Sequence, residues 1–331
     1  MSKQPGPVVV GSGNFRYEAQ RAWERLPKGW SFHEVAAVAT DSQERVYVLT
    51  RGEHPVIVFD RDGRFLTSWG EGVFVRPHGL TIGPDDAVYC TDDKDQTVRK
   101  FTTEGKLLLT LGTRGRASDT GIVGNDYRTI RAGGLPFNLP TNLALTPKGE
   151  MYVTDGYGNA RVHKYSADGK LLFSWGEPGS GPGQFNLPHG IALDRAGRVY
   201  VADRENSRVQ IFNPEGKWLA EWTDVARPME VFIDRDDNVF VAEVGWRAGR
   251  YPWTVVPEPA VGARLSVYRP DGTLQARWGG SADPCAPGEF FAPHDLWMDS
   301  RGDLYVGEVT MSAGGNKGLV PPTCHSLQKF V

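Results

Sequence analysis

The chain has 331 residues, a net charge of −3, 40 % hydrophobic and 23 % charged residues, which is enough to bury a large core in one domain. The slightly acidic balance lacks the basic footprint that a phosphate-backbone binder needs, so no nucleic-acid partner is expected. No stretch approaches the roughly 20 apolar residues of a membrane-spanning helix, so no membrane partner is expected either.

The first segment, MSKQPGPVVVGSGNF, carries an apolar run too short for a secretory signal, and a cytoplasmic location is therefore expected. Residues 1–13 are expected to be flexible. GSGNFR has glycines like the start of a dinucleotide loop, but it follows no convincing strand and opens no helix. NFRYEAQRAWERLP, just after, alternates like an outer β-strand and contains a tryptophan.

From there the chain repeats. Six inner segments read EVAAVATDSQERVYVLTRG, HGLTIGPDDAVYCTDDK, TNLALTPKGEMYVTDGY, HGIALDRAGRVYVADRE, MEVFIDRDDNVFVAEVG and HDLWMDSRGDLYVGEVT. Each is two short alternating strands joined by a turn rich in Asp and Gly, and most are followed by a third strand, a DG or EG turn and a fourth strand ending near Trp-Gly. Four strands per copy with a period of about forty describe propeller blades, and radial closure removes exposed sheet edges. The expected fold is all-β, a six-bladed β-propeller forming a single domain over 1–331, monomeric in the simplest reading. The last copy stops at HSLQKFV after three strands, so the N-terminal strand is expected to complete it.

Two long loops interrupt the pattern, 113–137 between the second and third copies and 246–264 in the fifth. Their arginines and aromatics suit a wall or lid over a site. The three cysteines, Cys90, Cys285 and Cys324, form no CxxC pair, so neither a disulfide framework nor a thiolate metal site is expected.

Counting back eleven residues from the second-strand aromatic of each copy marks one position per blade: Ala36, His78, Thr141, His189, Met229 and His294. Histidines occupy alternate blades, so rotation about the channel axis brings three imidazoles together. Such a set with an open face is a catalytic-type zinc site. The acidic residue three places after each aromatic (Asp92, Asp155, Asp203, Glu243, Glu308) recurs in nearly every blade and is expected to hold blade geometry, as are Trp69, Trp175 and Trp278. Chemistry is expected where the repeat breaks. Arg51 stands where other blades have Asp93, Gly156, Arg204, Val244 and Val309; Tyr157 follows one place later in blade three; Asp295 replaces Gly79 and Gly190 of the other histidine blades.

RGEHP at 51–55, PHGL at 77–80, DGYGNAR at 155–161, PGQFNLPH at 182–189, ADRENSR at 202–208 and PHDL at 293–296 together resemble the catalytic core of peptidyl-α-hydroxyglycine α-amidating lyase, over nearly the whole chain and in order. The resemblance implies NHL-type blades, zinc on His78, His189 and His294, and catalytic roles for Arg51 and Tyr157. It also implies a structural calcium on Asp295 with the backbone carbonyls of Val38 and Leu80. The implied reaction splits a carbinolamide into an amide and glyoxylate, with Tyr157 as base, Arg51 on the substrate carboxylate or beside the tyrosine, and a small molecule or short peptide as substrate. Departures are Gly158, where a cysteine would be expected, Ala292, where a methionine would be, and the lack of a preceding copper monooxygenase domain. Rival readings are a zinc-dependent hydrolase or lyase on another hydroxy-acid or ureido compound, a non-catalytic interaction scaffold, and a lactonase-type calcium propeller.

Overall fold

A computed structural model describes residues 6–20, 22–248 and 255–331. The alternating segments form six antiparallel sheets arranged as blades. Their innermost strands are Val35–Thr40, Pro77–Ile82, Pro140–Leu145, Pro188–Leu193, Pro228–Ile233 and Pro293–Met298. These pack on one another around the ring, and the second strands behind them, such as Val46–Thr50 and Val199–Asp203, are buried along their whole length. Apolar side chains of neighbouring blades interleave there, for example Ala192, Tyr200 and Val209 of one blade with Val231 and Val241 of the next.

Five sheets have four strands and the sixth has five. Phe15–Gln20 pairs with Leu327–Phe330, so the N-terminal strand closes the last blade as expected. Of the stretch expected to be flexible, residues 1–5 lie outside the described residues, and the part that follows contributes more than that. Val8–Ser12 folds back on Phe15–Gln20 as a hairpin, and GSGNFR is its turn rather than a nucleotide loop. Trp23 lies beyond the strand and packs on Phe59 and Tyr305, tying the first blade to the last.

The repeated acidic residues hold geometry as expected. Each takes backbone N–H groups from the segment that enters its own blade: Asp92 from Val75 and Arg76, Asp155 from Asn138, Asp203 from Asn186, Glu243 from Ala226, Glu308 from Phe291 and Ala292. A buried carboxylate accepting peptide N–H groups is a strong local anchor.

One expectation is corrected. Cys285 and Cys324, 39 residues apart, form a disulfide. The pair is close in space because Cys285 lies in the entry to the last blade and Cys324 in the segment before its third strand, a proximity that spacing along the chain does not reveal. Cys90 is a free, buried thiol.

Candidate metal centre

In all six inner strands the ladder register slips by a residue or two beside the counted position, as between Pro77 and Gly79 and between Pro293 and Asp295. Such bulges re-aim side chains. His78, His189 and His294 are buried, and their candidate ligand atoms all lie within 4.8 Å of one another. The ring centroids are 4.5 to 4.8 Å apart.

The blades between them supply the orientation. Nδ1 of His78 bonds the carbonyl of Thr141 at 2.7 Å, that of His189 the carbonyl of Met229 at 2.7 Å, and that of His294 the carbonyl of Ala36 at 2.6 Å. These acceptors are the residues at the same counted position in the non-histidine blades. A carbonyl only accepts, so each Nδ1 carries the proton and each Nε2 keeps its lone pair for the axis. Burial first, and then the neighbouring histidines and Arg51 and Arg76, push the His78 pKa well below its usual value, so its imidazole is neutral. Neutral imidazoles with converging Nε2 atoms and fixed tautomers fit a zinc ion.

Tyr157 is brought to the same place. Its hydroxyl lies 3.3 Å from Nε2 of His78 and 3.2 Å from Nε2 of His189, and it accepts from Nη1 of Arg204 at 3.3 Å. Gly158 lets the loop turn here: a Cβ at that position would come 2.1 Å from Oδ1 of Asn138, so a cysteine could not replace it without local rearrangement.

Arg51 lies on the other side of the cavity. Its Nε donates to the Pro77 carbonyl at 3.0 Å, and Nη1 donates to Glu34 at 2.9 Å and to Ser312 Oγ at 3.1 Å. The cavity has a volume of about 210 Å³ and is lined by Arg51, Arg76, Tyr127, Tyr157, His294 and Ser312, among others. The loop 113–137 forms part of its wall through Asn125 and Tyr127, and Tyr127 donates to Glu205 at 3.0 Å. The other long loop does not line this cavity among the described residues; Trp246 packs on Arg227, and residues 249–254 lie outside the description.

Asp295 lies away from this cavity. It lines a larger one, about 490 Å³, at the other side of the histidine layer, together with Leu80, Asn142 and Glu230. Val38 is buried on the neighbouring inner strand.

Several polar residues of the site were not singled out by sequence. Arg204 is fully buried, donates to Glu205 at 2.8 Å and has its guanidinium carbon 5.2 Å from the centre of the Tyr157 ring. Arg76 is held by Asp93 and lies 5.6 Å from the same ring. Arg204 had a signal, since it occupies the position of Arg51 in its own blade. Glu34 and Ser312 had none: Glu34 leads into the same blade that Arg51 leaves, and Ser312 meets Arg51 because blades one and six adjoin.

The structure is a six-bladed ring whose channel is crossed by three histidines, with a tyrosine and three arginines around them. Residues 185–212 match the NHL repeat model. The chain is 34 % identical to NHL repeat-containing protein 3 of Mus musculus, over 86 % of this chain and 81 % of that protein. It belongs to this family of NHL-repeat propellers. It is also 32 % identical to peptidylglycine alpha-amidating monooxygenase of Rattus norvegicus over 92 % of this chain, and spans 34 % of that longer protein. Identity to peptidyl-alpha-hydroxyglycine alpha-amidating lyase 1 of Drosophila melanogaster is 36 %, over 45 % of this chain and 27 % of that protein. The chain is thus a lyase-like NHL propeller.

Proposed function

We propose that the protein is a zinc-dependent lyase that cleaves a carbinolamide, R-CO-NH-CH(OH)-COO⁻, to an amide and glyoxylate. The observation that carries this reading is the Tyr157 hydroxyl held beside two Nε2 atoms of the histidine triad, at the head of a cavity that also contains the Arg51 guanidinium. A zinc ion on the three Nε2 atoms would supply Lewis acidity toward the substrate hydroxyl.

The protein's own groups then have distinct tasks. Tyr157, as its phenolate, takes the hydroxyl proton as the C–N bond breaks and the new C=O of glyoxylate forms, and passes that proton on to the released amide nitrogen. Arg51, fixed by Glu34 and the Pro77 carbonyl, presents its remaining N–H groups to the substrate carboxylate, for which a planar fork is suited. Arg204, donating to the tyrosine oxygen, stabilises negative charge there. Opposite the triad, Asp295 with the Val38 and Leu80 carbonyls is suited to a structural calcium; Oδ2 of Asp295 is buried without a hydrogen-bond partner, as an oxygen reserved for a cation would be.

The size of the cavity favours a second member of the same chemistry, a small ureido or amido hydroxy-acid rather than a long peptide. The experiment is release of glyoxylate by zinc-loaded protein from two probes, an N-acyl-α-hydroxyglycine and a ureido-α-hydroxyglycine. Turnover of the first supports the amidating type of reaction, turnover of the second alone supports the small-substrate reading, and no glyoxylate from either overturns the lyase. The disulfide favours an oxidising compartment over the cytoplasm expected from sequence. Denatured, unreduced protein should then titrate as one thiol, Cys90, whereas three would refute the placement.

A further inference from the structure

The residue after each counted position forms a second layer in the channel: Ala37, Gly79, Asn142, Gly190, Glu230 and Asp295. This layer does not repeat by rotation. Two of its members are glycines, and both are crossed by a polar side chain from the next blade. A Cβ on Gly190 would come 2.6 Å from Oε1 of Glu230, and one on Gly79 would come 2.5 Å from Oδ1 of Asn142. The missing side chains are the space through which Glu230 and Asn142 reach.

Glu230 is held firmly in that space. Its Oε1 accepts from the N–H of Val231 at 3.0 Å and of Ile191 at 3.2 Å, and its Oε2 accepts from Nδ2 of Asn142. Glu230 and Asp295 are both buried, and both line the 490 Å³ cavity. Among the described residues no lysine lines this cavity; of the two arginines that do, Arg195 pairs with Asp237 and Arg235 donates to the Ser300 carbonyl. Two carboxylates placed together in an apolar channel without a cationic side chain need either a shared proton or a bound cation. The buried, unpartnered Oδ2 of Asp295 points to the cation.

We propose that Glu230 is a second carboxylate ligand, on the blade next to that of Asp295, for a hard divalent cation of the calcium type. The inference rests on the reading of Asp295 as a calcium ligand and adds to it a charged partner from the adjacent blade. Hard oxygen donors suit this ion, and its affinity rises with the number of charged ligands. Asn142 acts as the positioning residue: its amide fixes one Glu230 oxygen and leaves the oxygen's other lone pair for the ion.

Metal-stripped full-length protein, reloaded with zinc alone, should be titrated calorimetrically with calcium chloride, and terbium luminescence excited through tryptophan gives an independent readout because Trp297 lines the same cavity. Glu230→Gln preserves shape and keeps one acceptor oxygen for the Val231 and Ile191 N–H groups, and its zinc content and thermal midpoint report on folding. The expected result is one calcium per chain, an affinity weakened at least about tenfold in Glu230→Gln, and no binding in Asp295→Asn. Glu230→Asp, which keeps the charge but shortens the reach, should fall between wild type and Glu230→Gln. Unchanged affinity in both Glu230 variants overturns Glu230 as a ligand while the Asp295 reading stands. No calcium or terbium binding by wild type overturns both, and the carboxylates then share a proton.

Discussion

The two layers of the channel differ by one residue along the same six strands, yet they are built on opposite logics. In the histidine layer the blades alternate strictly: one supplies an imidazole and the next a carbonyl that orients it. In the layer beside it Asn142, Glu230 and Asp295 come from blades three, five and six, and two glycines make room for them. Rotational repetition suffices where ligands are short and equivalent. An asymmetric site on the same scaffold requires side chains that cross from one blade to another, and residues that are absent so that they can.

The sharpest break in this comparison is His189→Ala, which should abolish zinc binding and turnover while calcium binding persists; elemental analysis of the variant reads both. Loss of both ions would show the layers to be one site. Next is Tyr157→Phe, expected to keep zinc and lower kcat by about 10²–10⁴-fold, the usual range for a lost general base, as followed by glyoxylate release. Gly190→Val should disturb both layers, because its Cβ would lie 2.6 Å from both Cα of Glu230 and the Met229 carbonyl that orients His189. A loss of about 1–3 kcal/mol is expected from overpacking, seen in chemical denaturation, together with weaker retention of both metals on dialysis. The smallest effect belongs to Asn142→Leu, which removes one donor from Glu230; a loss of about 1 kcal/mol of stability and unchanged zinc content would confirm that the layers are energetically separable.

The legibility of the site in the sequence follows the same division. The histidines could be placed because rotation turns a register along the chain into a point in space. Their carbonyl partners lay at the same register, hidden only because backbone acceptors have no residue signature. Glu230 was invisible for a different reason: strict alternation along a strand sends consecutive side chains to opposite faces, and the channel-side shift in register beside Met229 sets that rule aside locally. Arg204 was masked by its motif, since an arginine in ADRENSR reads as part of a blade until its hydrogen bond to Tyr157 is seen. The Arg51–Ser312 contact depends on the meeting of the first and last blades, and the disulfide on the packing of two segments of the last blade, neither of which a local pattern encodes.

The hairpin that finishes the last blade has a consequence for the order of events during synthesis. Phe15–Gln20 waits for Leu327–Phe330, so the ring cannot close until nearly the whole chain has left the ribosome. His294 belongs to the blade sealed by that pairing, and its orienting carbonyl, Ala36, belongs to the first. Five blades stacked in an open arc would hold only two of the three imidazoles. The histidine cluster is therefore completed late, and a nascent chain stalled before its last strand lacks the full set of three imidazoles.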